Sequence, residues 1–548
     1  METVIYYFLA SLFIIEPIIK IWFHNQIFSI CYLYGSIGLI LYTYQLYKNK
    51  QFRLTWRDVL LGISVLYNLP EILKFDYLPI VISFFAIYLL TKSSPNKHKF
   101  TYILTASGIL QILLMYTQWK DIISWNNGAF PITGSFDNPG PLGGYLAICF
   151  IATLGNSRNM NKWLCIICTF TIGIGLIISD SRAAWLATLV ALLYMTLKPL
   201  HIGITKKLFV SISLITVFIV LSLSTYKTNS AKGRLLIWEI SAEMIKKNPL
   251  CGSGLTSYRS DYMEYQADYI HKNPNFEKNK LLSNNGFAFN EFLHIIYEQG
   301  IIGILFIAAI LTLLYLESIR QNTFSFLCLI TLIVFSCFSY PTEVFLLFIT
   351  SALIMGTISD NYPINHNYLF SLRKIAMFIC ISTLIVISYQ WRGRLKLEKA
   401  LVSYLYRDDL KSLNYIQDHY TQIKNCSDFL FRYSRILYLK GEYHSAIPAV
   451  KQAIYLYPTT DKYCDLGDIY QHLNQNKEAE QAYKYAIHLM PYLVYPNYCL
   501  FLLYKETGQK EKALKEANHI INMPHKIENH QYKEIIHLIK QYLDNTIH

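Results

Sequence analysis

The sequence predicts an all-α protein in which a polytopic transmembrane helical bundle is followed by a soluble α-solenoid. Of the 548 residues, 53% are hydrophobic, and apolar runs of about 20 residues, the length that spans a bilayer, recur up to Gln390. After Gln390 these runs stop and charged residues become dense. The C-terminal part then shows alanines and prolines at a fixed spacing, which indicates repeated helix pairs. We therefore assign residues 1–394 to a membrane domain and residues 395–548 to a helical repeat domain.

Thirteen apolar segments are candidate membrane spans: about 4–22, 28–47, 58–74, 77–91, 100–117, 141–155, 163–179, 183–197, 208–225, 291–316, 323–339, 343–358 and 373–390. The third is the weakest, because Pro70 and Glu71 interrupt it. With this count, most lysines and arginines of the short connections fall on one side, which the positive-inside rule assigns to the cytoplasm. The count therefore predicts that the long loop 226–290 and the repeat domain both lie outside the cytoplasmic membrane.

Net charge and cysteine content argue against two classes of function. The formal net charge of +13 is expected from cytoplasmic lysines and arginines in a membrane protein, and no basic stripe with interleaved aromatics indicates nucleic-acid binding. Cys165 and Cys168 form a CxxC, but it lies in an apolar run, and no second cysteine or histidine pair completes a zinc site. We expect no metal and no cofactor.

The C-terminal domain contains an internal repeat with a spacing of 33 and then 34 residues. Each repeat has a turn residue that is followed by alanines, and in two repeats by a proline, at the same offsets. The first repeat has Gly441, Ala446, Ala453 and Pro458, the second has Asn474, Ala479, Ala486 and Pro491, and the third has Gly508 and Ala513. The pattern, over about residues 428–521, resembles the tetratricopeptide repeat, in which small alanines let paired helices pack closely. Such an array is either a spacer or a docking surface for a peptide or protein, and the pattern leaves both open.

Two polar segments on the predicted outer side precede membrane helices. Residues 133–140 read TGSFDNPG, in which Asn138 is typical of a turn at a helix entry. Residues 179–185 read SDSRAAW and place Arg182 at the start of a span. An ionisable residue near membrane depth is costly and often functional, although interfacial snorkelling or a salt bridge with Asp180 would also explain it.

Two further motifs lie at the ends of the long loop. Arg234 and Trp238 are four residues apart and so share one helical face. Asn290 is placed to cap the next helix, and the spacing of Glu291, His294 and Glu298 puts their side chains on one side of it. Glu291 also fits a first-turn acid favoured by the helix dipole, and His294 a hydrogen-bonded histidine between helices.

The stretches GSFDNPGPLGGYL, SDSRAAWLA, GRLLIWEISAEMIKKNPLCGSGLTSYRSDY and FNEFLHIIYEQGIIG together resemble the O-antigen ligase and polymerase superfamily, which includes bacterial protein O-oligosaccharyltransferases. The resemblance covers about residues 130–303. It implies transfer of an oligosaccharide from undecaprenyl pyrophosphate to an acceptor hydroxyl outside the bacterial inner membrane, without a metal. The acceptor would be lipid A core, a growing glycan or a protein, and the repeat domain slightly favours a protein acceptor or partner.

The resemblance also implies roles for individual residues. Arg182 and Arg234 would hold the pyrophosphate, since arginine stays protonated and binds phosphate in a bidentate way. Family members commonly carry His-Asn where this chain has Phe289-Asn290, so the base would be Glu291, which we favour with His294 as its orienting partner, or else His294 itself or His271. The remaining expected substrate-binding residues are Asn138, Trp238, Arg259, Asn290 and Glu298.

Two other classes of function fit the sequence less well. A transporter or flippase of lipid-linked sugars usually carries inverted repeats and broken midplane helices, and no such internal symmetry is evident in the sequence. A non-catalytic scaffold for envelope assembly would not need arginines on the outer side.

Overall fold

The computed structural model describes residues 1–22, 27–49, 54–75, 77–123, 130–197, 228–319, 324–358, 369–407, 409–524 and 530–547. Within these ranges the structure contains helices and no strands, which confirms the all-α fold class. The chain divides into two compact units. The first contains Met1–Tyr226, Phe289–Ile295 and Ile301–Leu395, and the second contains Lys227–Ala288, Ile296–Gly300 and Lys396–His548.

The helices of the membrane domain follow the predicted apolar runs. They are Glu2–Trp22, Ile27–Asn49, Trp56–Tyr67, Leu69–Lys74, Leu78–Lys92, Phe100–Trp119, Pro139–Gly155, Lys162–Ile178, Arg182–Leu197, Glu291–Ile319, Phe324–Ser336, Phe345–Thr357 and Leu369–Arg407. Among the described residues, four segments are long and apolar enough to cross a membrane: Glu2–Ile21, Lys97–Trp119, Glu291–Ser318 and Arg373–Arg407. Six shorter apolar helices accompany them, and together they indicate a multi-pass membrane protein.

The structure modifies the predicted spans at two places, and a third predicted span cannot be compared with it. The segment 58–74 forms two helices that meet at Asn68, because Pro70 lies in the first turn of the second and cannot continue the preceding helix. The last span is part of the 39-residue helix Leu369–Arg407, which continues past residue 394, where the sequence analysis divides the two domains. The predicted span 208–225 lies outside the described residues.

The helix Pro139–Gly155 is largely buried in the first unit. Tyr145, Leu146 and Ile148 are fully buried, and the helix packs against Phe100–Trp119, Lys162–Ile178, Arg182–Leu197 and Phe324–Ser336. Gly144 allows the close approach to the last of these, since a Cβ there would lie 2.3 Å from the Phe335 ring. This packing fixes the position of the turn that begins the helix.

Charged side chains are also buried in the first unit, where they pair with one another. The Arg57 guanidinium donates to Glu317 Oε2 and to the Tyr88 hydroxyl, each at 2.9 Å. The Tyr88 hydroxyl donates to Asp58 Oδ1 at 2.7 Å, and Lys92 forms an ion pair with the same carboxylate. Because an unpaired charge at this depth would be very costly, these contacts stabilise the packing of distant helices.

The C-terminal helices form the predicted pairs. They are Ser427–Leu439 with Tyr443–Leu456, Thr460–His472 with Asn476–Leu489, and Val494–Glu506 with Lys510–Asn522, followed by His530–Ile547. The repeated alanines Ala446, Ala479 and Ala513 are fully buried between helices. This burial is the physical reason for the repeat, since a larger side chain would force each pair apart.

The described part of the long loop, residues 228–290, is folded. Its helices are Thr228–Ile245, Ser257–Lys272 and Phe276–Asn279. Residues 249–254 turn against the helix Glu291–Ile319, where the Gly254 amide donates to the Glu298 carbonyl at 2.9 Å. Gly300 interrupts that helix with a φ of 68°, and a Cβ there would lie 2.0 Å from the Leu250 carbonyl oxygen. Only glycine allows both this backbone conformation and this close contact.

Candidate active site

The turn at residues 133–138 is held by glutamine side chains. Gln118 Oε1 accepts hydrogen bonds from the amides of Thr133 and Gly134 at 2.9 and 2.8 Å. Gln111 Oε1 accepts one from the Ser135 amide at 3.0 Å. Asn138 Oδ1 accepts from the Gly140 amide at 2.8 Å and so caps the helix Pro139–Gly155, as the turn interpretation predicts. The role of Asn138 in substrate binding stays a prediction.

The structure brings this turn together with the turn that precedes Arg182. The Ser181 hydroxyl donates to the Gly140 carbonyl at 3.4 Å, and a Cβ on Gly143 would lie 2.4 Å from Ser181 Cβ. Arg182 is half-buried and is the first residue of the helix Arg182–Leu197, where the positive end of the helix dipole also favours an anion. Two motifs that are 40 to 50 residues apart in the sequence therefore meet in the first unit.

A lysine that the sequence analysis did not single out reaches the same turn. Lys20 Nζ forms an ion pair with Asp137 Oδ2 at 2.9 Å, although only 8% of Lys20 is exposed. Glu16, one turn earlier on the same helix, is also buried. A lysine and a glutamate inside an otherwise apolar run were the available signal, but Asp137, the partner of Lys20, lies 117 residues away from it.

The candidate bases Glu291 and His294 are buried together in the first unit, with 6% and 5% of each residue exposed. Asn290 Oδ1 caps their helix by accepting from the Phe292 and Leu293 amides at 3.0 and 3.2 Å. Glu291 Oε1 accepts a hydrogen bond from the Thr342 hydroxyl. The other carboxylate oxygen, Oε2, is buried and has no hydrogen-bond partner among the described residues. Glu291 is therefore oriented at one oxygen and able to accept a proton at the other.

Residues 340–343 contact this site and are not among the predicted site residues. His294 Nε2 lies 4.0 Å from Glu343 Oε1. The Phe289 ring packs edge-on against the Tyr340 ring, with ring centres 5.2 Å apart. Phe289 has a φ of 50°, a strained conformation for a bulky residue that is found mainly at functional sites. The signal for this segment was a short polar stretch between two apolar runs on the predicted outer side.

Glu298 lies in different surroundings from Glu291 and His294. It belongs to the second unit, where its Oε1 accepts from the Tyr258 amide at 3.3 Å. Tyr258 is fully buried, and its hydroxyl lies 2.8 Å from the Ser241 hydroxyl. Glu298 thus helps to hold the loop helices together. Substrate binding by Glu298 stays a prediction.

The other predicted loop residues also belong to the second unit. Arg234 and Trp238 are half-buried on the helix Thr228–Ile245, beside the buried residues Leu236, Ile237 and Ile240. Arg259 places its guanidinium 4.8 Å from the centre of the Phe287 ring. His271, the alternative base, stacks on His488 with ring centres 4.5 Å apart. His271 is therefore part of the contact between the loop and the repeats.

The loop helix Ser257–Lys272 packs against the repeat helices Tyr443–Leu456 and Asn476–Leu489. The Tyr485 hydroxyl donates a hydrogen bond to Glu264, and Gln266 Nε2, which is buried, lies 3.0 Å from Met490 Sδ. We call these contacts the loop–repeat interface. It also includes the Phe276 and Tyr492 rings, whose centres are 5.1 Å apart, and a hydrogen bond that Asn284 Nδ2 donates to Thr460 Oγ1 at 2.8 Å. This face of the repeats is occupied by a segment of the same chain.

We expect Tyr485→Phe to loosen the loop–repeat interface. The change removes a hydrogen bond to a carboxylate, which contributes roughly 1.5–3 kcal/mol in proteins. Hydrogen exchange of the amides in Ser257–Lys272 should become faster, while the repeat helices keep their protection. Tyr455→Phe is the matched control, since Tyr455 is 72% exposed. Equal exchange in the two variants would show that this hydrogen bond does not hold the loop.

Comparison with known protein families agrees with the two resemblances. Residues 167–308 match the O-antigen ligase family, and residues 427–460 and 463–489 match the tetratricopeptide repeat. No curated protein matches the chain. Among solved structures, the crystal structure of the APC/C hetero-tetramer Cut9-Hcn1 aligns with 84% of this chain and 76% of that chain, at 10% identity and a TM-score of 0.22. That similarity is too low to support an inference. The chain is thus a multi-pass membrane protein with a segment that matches the O-antigen ligase family, followed by segments that match the tetratricopeptide repeat.

Proposed function

We propose that the chain transfers an oligosaccharide from undecaprenyl pyrophosphate to an acceptor hydroxyl outside the bacterial inner membrane. The O-antigen ligase match supports a membrane ligase or glycosyltransferase role, and its range 167–308 includes Arg182, Arg234, Glu291 and His294. The observation that carries the proposal is the buried Glu291 carboxylate, which one hydrogen bond orients and whose second oxygen has no partner in the described part of the chain.

In the proposed reaction the acceptor oxygen bonds to the anomeric carbon of the donor sugar. The bond from that carbon to the phosphate oxygen breaks, and undecaprenyl pyrophosphate leaves with the bonding electrons. The acceptor proton passes to Glu291 Oε2, while Thr342 keeps the carboxylate oriented. Arg182 and Arg234 stabilise the negative charge that develops on the pyrophosphate, as fixed guanidinium groups do at phosphate sites.

The loop–repeat interface supports a part for the repeats in this reaction. The loop carries Arg234, Trp238 and Arg259, and its middle helix is bound by the repeat helices. Repeats that bind the loop also bring any protein attached to them near the residues that the loop carries. This arrangement favours a repeat domain that binds a protein acceptor or partner over one that acts only as a spacer.

Deletion of the gene tests the proposed function. One glycoconjugate should disappear from the cell envelope while its lipid-linked precursor accumulates on the outer face of the inner membrane. Accumulation on the cytoplasmic face would indicate a flippase instead. An unchanged set of glycoconjugates and precursors would indicate a scaffold.

The proposed function requires the loop and the repeats to lie outside the membrane, and this topology can be tested. Reporter fusions after Asn229 and after Arg394 should both report an extracytoplasmic position, because the thirteen-span count puts the loop and the repeats outside. Phosphatase and fluorescent-protein reporters give opposite signals on the two sides and therefore control each other. A cytoplasmic signal from the Arg394 fusion would mean that the span count is wrong.

A further inference from the structure

The repeat domain contains a pocket that is separate from the residues of the proposed reaction. It has a volume of about 360 Å³ and is lined by the first helices of the three repeat pairs and by the final helix His530–Ile547. This volume lies at the small end of the range for ligand pockets, roughly 300–1,000 Å³. The pocket is therefore large enough for a small or segmented ligand.

One wall of the pocket is a fixed polar array. The Arg435 guanidinium donates to both oxygens of Asp465, at 2.5 and 3.2 Å, and lies 4.2 Å from the centre of the Phe431 ring. Asp465 and Phe431 thus hold Arg435 in position, and Asp465 balances its charge. Asp461, one turn before Asp465, is exposed and also lines the pocket. This wall offers oriented acceptors and donors with little unmatched positive charge.

The pocket lining also contains aromatic residues. Tyr492, Tyr495 and Tyr532 line the pocket, and Tyr495 is 38% exposed. A tyrosine ring presents a flat apolar face together with a polar hydroxyl. Tyrosine rings in the same pocket as two carboxylates and a guanidinium suit a ligand that has an apolar face and hydroxyl groups around its edge.

A sugar ring has this chemistry. Its C–H face can pack on a tyrosine ring, while its hydroxyls donate to Asp461 and Asp465 and accept from Arg435. An anionic ligand would be repelled by the two carboxylates, which outnumber the single guanidinium.

The pocket also shares its wall with the loop–repeat interface. Thr460 lines the pocket and accepts from Asn284 of the loop, and Tyr492 lines the pocket and packs against Phe276. A ligand bound here therefore lies beside the loop that carries Arg234 and Arg259.

We infer that this pocket binds a segment of the glycan that the protein transfers, at sugars remote from the pyrophosphate. The ligand class rests on the proposed function, but the site is distinct from Arg182, Arg234 and Glu291. Such a subsite would hold the glycan chain by its neutral sugars while the reacting end is positioned elsewhere. It would also make the repeat domain a glycan-binding domain.

Binding of free glycan to the full-length protein in detergent tests this inference. The probe is the oligosaccharide released by mild acid from the lipid-linked pool of the host, and its affinity is measured by calorimetry. Tyr495→Ala should weaken binding by about threefold to tenfold, because it removes the stacking face. Asp461→Asn, at an exposed position, should also weaken binding without affecting folding. Tyr455→Ala, which removes an exposed tyrosine outside the pocket, should leave the affinity unchanged.

Two results would overturn the inference. One is an unchanged affinity for the released oligosaccharide in both pocket variants. The other is tight binding of an oligolysine peptide that Asp461→Asn abolishes while glycan binding is retained, which would make the pocket a site for a cationic segment. Neither measurement requires transfer. Loss of the proposed function would instead appear as wild-type protein that does not transfer glycan from its lipid carrier.

Discussion

Arg182→Ala and Arg234→Ala are each expected to lower glycan transfer by about 100-fold to 1,000-fold, the usual effect of removing one group that stabilises developing charge. Each substitution removes a guanidinium that, in the proposed reaction, binds the pyrophosphate as it leaves. Arg182 also begins a helix, so that the helix dipole and the side chain favour the same anion. Transfer is measured with purified protein and lipid-linked glycan, and membrane insertion is checked by the amount of protein in the membrane fraction.

Lysine substitutions distinguish phosphate binding from a general need for positive charge. Arg182→Lys and Arg234→Lys should restore activity poorly, since an ammonium group cannot reproduce the bidentate contact of a guanidinium. Lys246→Ala is the control, because Lys246 is an exposed cation on the same loop as Arg234. Normal transfer in both alanine variants would rule out the proposed pyrophosphate site.

Glu291→Gln is expected to lower transfer by about 100-fold to 10,000-fold, the range typical for loss of a general base. Glutamine retains the size of the side chain and can still accept a hydrogen bond from Thr342, but it cannot accept the proton. Raising the pH should therefore not restore activity. His294→Gln should have a much smaller effect, because His294 is proposed only to orient Glu291.

The control for this prediction is Glu277→Gln, which neutralises a glutamate of the loop whose side chain is 75% exposed. Near-normal turnover of Glu291→Gln would mean that Glu291 serves only as a first-turn acid of its helix. The base would then have to be sought among the loop residues, beginning with His271. A larger loss in His294→Gln than in Glu291→Gln would exchange the roles of the two residues.

Much of the candidate site could be predicted because its motifs are local. An arginine at the start of a span, or an asparagine that caps a helix, is recognisable from its immediate neighbours. Lys20 and Thr342 could not be found in this way. Lys20 acquires its significance from Asp137, and Thr342 from Glu291, which are contacts between segments distant in the sequence.

The sequence by itself determined the all-α class, the apolar segments and the repeat pairs. These features follow from hydrophobic length and from small residues at a fixed spacing, which act over a few helical turns. The alanines Ala446, Ala479 and Ala513 are buried as that spacing predicts.

Only the tertiary structure decided which distant segments the polar side chains contact. Glu291 and Glu298 share one side of the predicted helix, yet Glu291 packs beside Thr342 and Glu298 holds the loop helix at Tyr258. The loop in turn binds the repeats through Glu264 and Tyr485, which are 221 residues apart. Such pairings depend on how distant segments bury their surfaces against each other, and hydrophobic periodicity within one helix does not specify them.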